Sequence, residues 1–256
     1  MILTIDIGNT NTVIGCFKGD TLLGSFRMQS ARTYTTDEAG ILCTQLIQHH
    51  IESPEPVDAV VLCSVVPALT AIYENMARHY FDVAPLTLTA DLDLGLKLAV
   101  PDPGAVGADR LANALAVREL FDLPAVVVDF GTATTFDVLD GKGVYLGGVI
   151  APGVITSSTE LSRRAAQLSG VRIEKPLSYI SGTTTQAMQS GIYFGTVGQV
   201  EHILAGIEKE LLARPTVVAT GGLAELWGQG ISRIDKVDIQ LTLKGLRIFY
   251  MRQKTA

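Results

Sequence analysis

Two seven-residue segments carry residue types that suit a phosphorylated ligand. Residues 6–12 and residues 129–135 each begin with an aspartate, reach a glycine two positions later and continue mainly with hydroxyl or amide side chains. The carboxylate of Asp6 can hold a hydrated Mg²⁺, and a glycine beside it lets backbone N–H groups approach a phosphate closely. For either segment alone, a polar hairpin turn is the alternative. Each follows a short apolar run, and they lie nearly half of the 256-residue chain apart, which favours a duplicated nucleotide-binding half-domain.

A third glycine-rich segment occurs near the end of the chain. Gly221 and Gly222 follow a β-branched run at 216–219 and precede a helix-like run at 223–227. A glycine pair between strand and helix leaves room for the flat face of a nucleoside. Neither a P-loop motif nor Gly-x-Gly-x-x-Gly after a strand occurs, and Gly-x-Ser-x-Gly is also missing. The sequence therefore predicts a nucleotide cleft built from paired aspartate–glycine turns.

Phosphoryl transfer also needs a residue that accepts the proton of the acceptor hydroxyl. The segment Gly-Ala-Asp-Arg at 107–110 lies between the two turns, and Asp109 begins a helical pattern with Leu111 and Leu115 on its apolar face. That face would hold the carboxylate rigidly, while Arg110 offers a planar guanidinium for a carboxylate or phosphate of the acceptor. The alternative is that Asp109 caps the helix and Arg110 forms a surface ion pair. Asp109 is the candidate general base.

A cluster of hydroxyl side chains at 183–185 allows two interpretations. Thr183 and Gln186 match a capping box, which would explain the cluster by helix initiation alone. Three hydroxyl groups after Ser181 and Gly182 could equally donate hydrogen bonds to a polar substrate.

Composition excludes several classes of protein. Apolar residues make up 47% of the chain and charged residues 18%, which is typical of a well-packed globular domain and not of a disordered segment. The formal net charge is −6 and no Lys/Arg-rich block occurs, so we expect no nucleic-acid partner. No run approaches the roughly 20 apolar residues of a membrane helix, so we expect no membrane partner.

The first residues and the cysteines favour a cytoplasmic protein. The chain enters a strand pattern at once and carries Asp6, which argues against a secretory signal peptide. Cys16, Cys43 and Cys63 lie far apart within apolar segments, as expected of reduced core residues. The four histidines have no metal-ligand spacing.

Hydrophobic patterning predicts strands and helices in both halves of the chain. In the first half we expect strands at 2–5, 13–17, 22–28, 59–65 and 85–89, and helices at 35–51 (capped by Thr36), 67–81 and about 105–120. In the second half we expect a Gly147–Gly148 turn, a helix after Gly153 with Leu161, Ala165 and Leu168 on one face, a long helix ending near Leu212, a strand at 239–243 and a closing helix at 245–252. No low-complexity linker separates the halves, 1–115 and 116–256, so we expect them to pack together.

Six motifs, in this order and over nearly the full chain, resemble the type III pantothenate kinase family. They are DIGNTNT, VGADRLANA, DFGTATTFDV, GGVIAPG, SGTTTQAMQSGIYFG and ATGGLA. The family belongs to the acetate and sugar kinase/Hsp70/actin superfamily, so the resemblance implies two duplicated actin-like (ribonuclease H-like) α/β domains with the nucleotide cleft between them. It also implies ATP-dependent phosphorylation of pantothenate to 4'-phosphopantothenate, the first step of coenzyme A biosynthesis. The implied assembly is a homodimer with its acceptor site near the subunit interface.

The resemblance and the turns together assign roles to individual positions. The resemblance implies that Asp109 is the proton acceptor and that Asp129 binds a monovalent cation, K⁺ or NH₄⁺. The expected cofactors are therefore ATP, Mg²⁺ and this monovalent cation. The expected ATP contacts are Asp6, Ile7, Gly8, Asn9, Thr10, Asn11, Thr12, Val13, Gly131, Thr132, Gly221 and Gly222. The expected pantothenate site comprises Val100, Gly107, Ala108, Asp109, Arg110 and Thr184. The family usually has a tyrosine where this chain has Val100, so we expect the segment 100–103 to shape the pocket differently.

Two other functions remain open from the residues. A small sugar or amino-sugar kinase of the same superfamily would share the phosphate-binding turns and differ at the acceptor site. A guanidinium aimed at the acceptor, that of Arg110, favours a carboxylate-bearing substrate over a neutral sugar. A nucleotide-dependent regulatory protein that is not a kinase would leave Asp109 and Arg110 without a purpose.

Overall fold

The computed structural model describes residues 1–164 and 171–255, with the side chain of Arg164 left aside. The chain divides into two compact units. The first comprises Met1–Glu119 together with Leu241–Ala256, and the second comprises Leu120–Gln240. Each unit is built on a five-stranded mixed sheet.

The sheet of the first unit has the strand order β3-β2-β1-β4-β5. Its strands are β1 (Ile2–Ile7), β2 (Asn11–Lys18), β3 (Thr21–Gln29), β4 (Ala59–Ser64) and β5 (Leu86–Thr87). The first three strands form an antiparallel meander, and β4 and β5 add parallel to the other side of β1. Both β1 and β4 are rich in apolar residues and largely buried, as expected for central parallel strands.

Three helices precede the second unit: α1 (Thr36–His50), α2 (Pro67–Phe81) and α3 (Ala108–Leu120). Leu3, Ile5 and Ile7 of β1 pack into one core cluster with buried residues of α1 and α2. Side chains alternate along a strand, so Thr4 and Asp6 face the opposite side of the sheet. A 3₁₀ turn at Pro103–Ala105 leads into α3.

The second unit repeats the topology of the first. Its strands are β6 (Ala125–Phe130), β7 (Ala133–Leu139), β8 (Tyr145–Pro152), β9 (Thr216–Thr220) and β10 (Lys236–Val237). Read from its antiparallel edge, the sheet order is β8-β7-β6-β9-β10, with antiparallel pairs at β6–β7 and β7–β8 and parallel pairs at β6–β9 and β9–β10. Each strand therefore has a counterpart in the first sheet, and the predicted duplication is confirmed.

The helices of the second unit are α4 (Val154–Arg164), α5 (Thr184–Leu211) and α6 (Ala224–Gly228). The last helix, α7 (Leu241–Thr255), belongs to the first unit, where the backbone of Gly245 lies against the carbonyl group of Ala112 in α3. Side chains on the two helices are also joined, because the Thr242 hydroxyl donates to Asn113 at 2.8 Å. These contacts fix α3, which carries Asp109.

Three predictions of local structure are wrong. The N-cap of α1 is Thr35, not Thr36: its hydroxyl accepts from the N–H of Glu38, whose carboxylate accepts from the N–H of Thr35. Gly147 and Gly148 lie within β8, where a register irregularity and a φ of +101° at Gly147 bend the strand and do not end it.

The third error concerns the end of the chain. Residues 239–243 alternate apolar and polar side chains, but no strand forms there, and α7 begins at Leu241. Leu241 and Leu243 are instead buried together with Leu246 and Phe249 of the same helix. The predicted apolar stripe after Gly153 is described only in part: Leu161 lies in α4 and is 46% exposed, and Ala165 and Leu168 fall outside the described residues.

Candidate active site

The first polar turn joins β1 to β2 through residues 8–10. The N–H of Gly8 closes the turn by donating to the carbonyl oxygen of Asn11 at 3.0 Å. A Cβ atom at position 8 would lie only 3.0 Å from that same oxygen, so glycine permits the tight turn. The residues after it, Asn9 and Thr10, are exposed, so a phosphate could approach the backbone of the turn at these two positions.

Two of the residues predicted to contact ATP have side chains that are buried inside the first unit. Ile7 and Thr12 face each other across β1 and β2, and neither is exposed. The hydroxyl groups of Thr12 and Ser30 are 3.0 Å apart. These two residues therefore have only backbone groups to offer a nucleotide.

The second turn, between β6 and β7, is one residue shorter than the first. It consists of Gly131 and Thr132, and the N–H of Gly131 donates to the carbonyl oxygen of Ala133 at 3.1 Å. In the first unit Ile7 pairs with Thr12, and in the second Phe130 pairs with Thr134. The buried counterpart of Thr12 is therefore Thr134, one position earlier than the sequence spacing indicates.

Gly153 and Thr156 support the second turn, and sequence reasoning assigned neither to the site. A Cβ atom at Gly153 would lie 2.6 Å from the carbonyl carbon of Thr132. The hydroxyl of Thr156, in the first turn of α4, donates to the carbonyl oxygen of Thr132 at 2.8 Å. The available signal was the glycine that ends the GGVIAPG motif, between a strand and a helix. These contacts fix the backbone of the turn while the Thr132 side chain stays exposed.

Asp129 lies at the end of β6, beside the glycine pair. In the register of the parallel strands it pairs with Thr220 of β9. Gly221 follows with a φ of +90°, and a Cβ atom there would meet a carboxylate oxygen of Asp129 and would lie 2.8 Å from the backbone nitrogen of Phe130. The backbone of Gly221 therefore packs directly against this half-buried carboxyl group. A carboxylate oxygen is a ligand that suits a hard cation.

Asp6 occupies the corresponding position in the first unit. It pairs in register with Cys63 of β4, whose thiol donates a hydrogen bond to Oδ1 of Asp6 at 3.4 Å. Asp6 is half-buried, whereas Cys63 has no exposed surface. Mg²⁺ usually takes one or two carboxylates and completes its shell with water and phosphate oxygens, so a single aspartate at a strand end fits this ion. Across residues 1–164 and 171–255, no group of three or more His, Cys, Asp or Glu could hold a metal ion.

Asp109 is fixed at the beginning of α3. Its Oδ1 accepts from the N–H of Arg110 at 2.8 Å. The helix behind it is held firmly, since every residue from Leu111 to Val117 is buried. Gly107 precedes the helix, and a Cβ atom at that position would lie 2.6 Å from Oδ1 of Asp109. The absent side chain of Gly107 therefore leaves the space that the carboxylate occupies.

Burial makes Asp109 a stronger proton acceptor. Desolvation raises the pKa of this carboxyl group above its ordinary value, while the Arg110 N–H and guanidinium act in the opposite direction and do not cancel the rise. Cys63 lies within electrostatic reach of both aspartates: burial raises the pKa of its thiol well above the ordinary value, and the charges of Asp6 and Asp109 add to that rise. The first unit therefore brings Asp6, Cys63 and Asp109 together.

The remaining predicted substrate residues are placed separately. Ala108 is the first residue of α3, and Val100 is half-buried in a bend before the 3₁₀ turn. In the second unit, the hydroxyl of Thr183 accepts from the N–H of Gln186 at 3.3 Å, which confirms its capping role. Thr184 is then the first residue of α5 and is exposed.

Comparison with known proteins identifies the same family along most of the chain. The family model described as type III pantothenate kinase matches residues 2–206. A relative from Exiguobacterium sp. (strain ATCC BAA-1283 / AT1b), named "Type III pantothenate kinase", is 44% identical over 254 residues, which cover 99% of this chain and 100% of the relative.

Solved structures share the fold at low sequence identity. A ROK hexokinase from Thermus thermophilus aligns with a TM-score of 0.53 and 14% identity over 100% of this chain and 99% of its own. The activator of 2-hydroxyisocaproyl-CoA dehydratase from Clostridium difficile, solved with bound ADPNP, also aligns with a TM-score of 0.53, at 13% identity over 100% and 97% of the two chains. The predicted actin-like α/β class is confirmed. No helix within residues 1–164 and 171–255 is long and apolar enough to span a bilayer.

The space beside Gly107 yields a prediction. In Gly107→Ala the new methyl group collides with Oδ1 of Asp109, so the carboxylate must leave its position. We expect kcat to fall by about 10- to 100-fold, because small displacements of a catalytic group are costly. Steady-state kinetics with saturating ATP measures this fall.

Gly104→Ala is the matched control, because its methyl group would lie at an ordinary 3.4 Å from Asp102 in the same loop. We expect nearly unchanged kcat for this variant. Equal kcat values for the two alanine variants would contradict the role of Gly107.

Proposed function

The chain belongs to the type III pantothenate kinase family and transfers a phosphoryl group from ATP to pantothenate, and we propose that Asp109 is the general base of this transfer. The observation that carries the proposal is the burial of the Asp109 carboxylate at a fixed helix start, with its pKa raised. With the family established, the sugar-kinase and regulatory alternatives have no observation in their favour. The ROK hexokinase has the same fold but is only 14% identical to this chain, so the similarity is evidence for the fold alone.

The reaction assigns a clear task to this carboxylate. The primary hydroxyl oxygen of pantothenate forms a bond to the γ-phosphorus, and the bond between that phosphorus and the bridging oxygen of ADP breaks. The hydroxyl proton passes to the carboxylate of Asp109. A carboxylate whose pKa is raised by burial holds this proton more strongly than an exposed one would.

The two polar turns are proposed to bind the phosphates of ATP. The proposed contacts in the first unit are Asp6, Ile7, Gly8, Asn9, Thr10, Asn11, Thr12 and Val13, with Ile7 and Thr12 contributing backbone groups only. In the second unit they are Gly131 and Thr132, with Gly221 and Gly222 against the nucleoside. Asp6 would hold the divalent metal of the kinase, Mg²⁺. When bound, this ion neutralises charge on the β- and γ-phosphate oxygens.

The pantothenate site is proposed to lie at the start of α3. Pantothenate carries a carboxylate, and the planar guanidinium of Arg110 can bind such a group with two parallel hydrogen bonds. Gly107 and Ala108 would line the site, with contributions from Val100 and Thr184. Val100 offers an apolar, half-buried surface at this position.

A monovalent cation, K⁺ or NH₄⁺, is proposed to bind at Asp129. The support is the carboxylate held against the backbone of Gly221. Such an ion would supply positive charge beside the nucleotide-binding turn of the second unit.

We also propose that the protein is a cytoplasmic homodimer. Exposed large apolar side chains on three segments of the second unit include Ile150, Ile155, Leu161, Leu177, Tyr179 and Ile180. A concentration of exposed apolar surface is typical of a protein–protein interface. The reduced state of Cys16, Cys43 and Cys63, and the use of ATP, favour the cytoplasm.

Asp109→Asn tests the proposed base. We expect kcat to fall by about 10²- to 10⁴-fold while the affinity for ATP is retained. Stability gives an independent readout. A raised pKa in the folded state means that the ionised carboxylate destabilises the fold, a cost that is absent below the unfolded pKa and grows as pH rises through the folded pKa. At pH 7 the asparagine variant should therefore melt at the same or a higher Tm.

The measurements are ADP release with and without pantothenate, and thermal unfolding. Asp102→Asn, which changes an exposed carboxylate in the preceding loop, is the control and should keep kcat. Near-normal turnover of Asp109→Asn would remove this residue from the mechanism, and ADP release that ignores pantothenate would refute the acceptor.

Replacing K⁺ by Na⁺ tests the cation site. We expect a lower rate in Na⁺, because the site at Asp129 discriminates by ion size, and we expect Asp129→Asn to reduce the difference between the two salts. Turnover is measured at constant ionic strength with choline chloride as the balancing salt. Equal wild-type rates in K⁺, Na⁺ and choline would refute the site.

Sedimentation velocity tests the interface. The 27.3 kDa chain should sediment as a dimer, and Ile180→Glu should shift it toward the monomer, because a charge would be buried between subunits. Leu212→Glu is the matched control, since Ile180 and Leu212 are both 91% exposed. The interface assignment fails if both variants remain dimeric or if both dissociate.

A further inference from the structure

Cys63 lies beside the aspartate that is proposed to hold the metal. In the parallel register of β1 and β4, Cys63 is the direct partner of Asp6, and both side chains project from the same face of the sheet. The distance from Sγ of Cys63 to Oδ1 of Asp6 is 3.4 Å, with the thiol as donor. The whole Cys63 residue is removed from solvent. No water therefore competes at the sulfur for this hydrogen bond.

The Cys63 thiol is a hydrogen-bond donor, and in the structure it donates to Oδ1 of Asp6. A thiol is a weak donor in water, but a hydrogen bond to a charged acceptor strengthens in a buried environment.

We propose that Cys63 is a positioning residue for metal binding, whose thiol fixes the orientation of the Asp6 carboxylate toward Mg²⁺. The proposal rests on the proposed role of Asp6. Loss of the thiol would remove one hydrogen bond that orients the Asp6 carboxylate, and part of the binding free energy of the metal–nucleotide complex would then be spent on orienting it.

The second unit has a different buried residue at the corresponding register position. Asp129 occupies the position of Asp6, and its direct partner on the parallel strand β9 is Thr220, which is 1% exposed. In both units, therefore, a buried residue whose side chain carries one X–H group is the register partner of the aspartate near the end of the strand.

The other two cysteines have surroundings typical of a cysteine that only fills space in an apolar core. Cys43 lies in α1 within the apolar core, and Cys16 lies in β2 between other apolar residues of the same cluster. Burial is the largest cause of the raised pKa at both, and no carboxylate of the described residues adds to it. Cys43 is therefore a matched control for Cys63: both have no exposed surface, and only Cys63 faces an aspartate.

Two substitutions at each of two positions separate the effect of the hydrogen-bond donor from the effect of side-chain volume. Cys63→Ser keeps a donor at the position, whereas Cys63→Val fills the space without one. Cys43→Ser and Cys43→Val make the same changes at the control position. Isothermal titration calorimetry gives the affinity for ADP in Mg²⁺ and in EDTA, and the ratio of the two affinities is the gain from the metal.

We expect Mg²⁺ to raise the affinity for ADP by the same factor in wild type, in Cys63→Ser and in both Cys43 variants. In Cys63→Val we expect this factor to be about tenfold smaller, because one hydrogen bond to a charged group is lost. Affinity for ADP in EDTA should be unchanged throughout. In kinetics, Cys63→Val should raise the KM for Mg²⁺–ATP and leave the KM for pantothenate unchanged.

Several outcomes would overturn the proposal. It fails if Cys63→Val keeps the full gain, or if Cys63→Ser loses as much as Cys63→Val. Should the valine side chain prevent folding, Cys63→Ala, which is smaller than cysteine, replaces it in the same comparison. Asp6→Asn distinguishes failure of the premise: if this variant keeps the wild-type gain, the metal role of Asp6 is wrong and the inference falls with it.

Discussion

The burial of one carboxylate, that of Asp109, is the constraint on which the site depends. Partial removal of a carboxylate from water costs free energy, and the fold offsets this cost by anchoring α3 along a continuous buried stretch and by leaving position 107 without a side chain. The same burial raises the pKa and makes the group a better proton acceptor. The burial of Asp109 therefore lowers the stability of the fold but makes its carboxylate a better proton acceptor for the kinase reaction.

Duplication explains why both units carry the same local arrangement around an aspartate. In both units the penultimate residue of a strand is an aspartate, a glycine turn follows, and the register partner of the aspartate on the parallel neighbour is a small buried residue. The copies have since diverged: the second turn is one residue shorter and is supported by Gly153 and Thr156. The proposed tasks differ accordingly, with Asp6 assigned to Mg²⁺ and Asp129 to a monovalent cation.

Local features could be predicted from the sequence, and contacts between distant segments could not. The aspartate–glycine turns, the helix beginning at Pro67 and the cap at Thr183 are set by neighbouring residues. Cys63 resembled an ordinary core cysteine, because its relation to Asp6 arises only from strand register. Residues 239–243 alternate as a strand would, but the helical packing of Leu241 with Leu246 and Phe249 prevails over the local pattern.

The most direct test of the account is a crystal structure with pantothenate and a non-hydrolysable ATP analogue bound. The account predicts a carboxylate oxygen of Asp109 within about 2.6–3.2 Å of the primary hydroxyl of pantothenate, the distance a general base requires. It further predicts that this hydroxyl faces the γ-phosphate. A pantothenate hydroxyl bound out of reach of Asp109, with another side chain accepting its proton, would contradict the account.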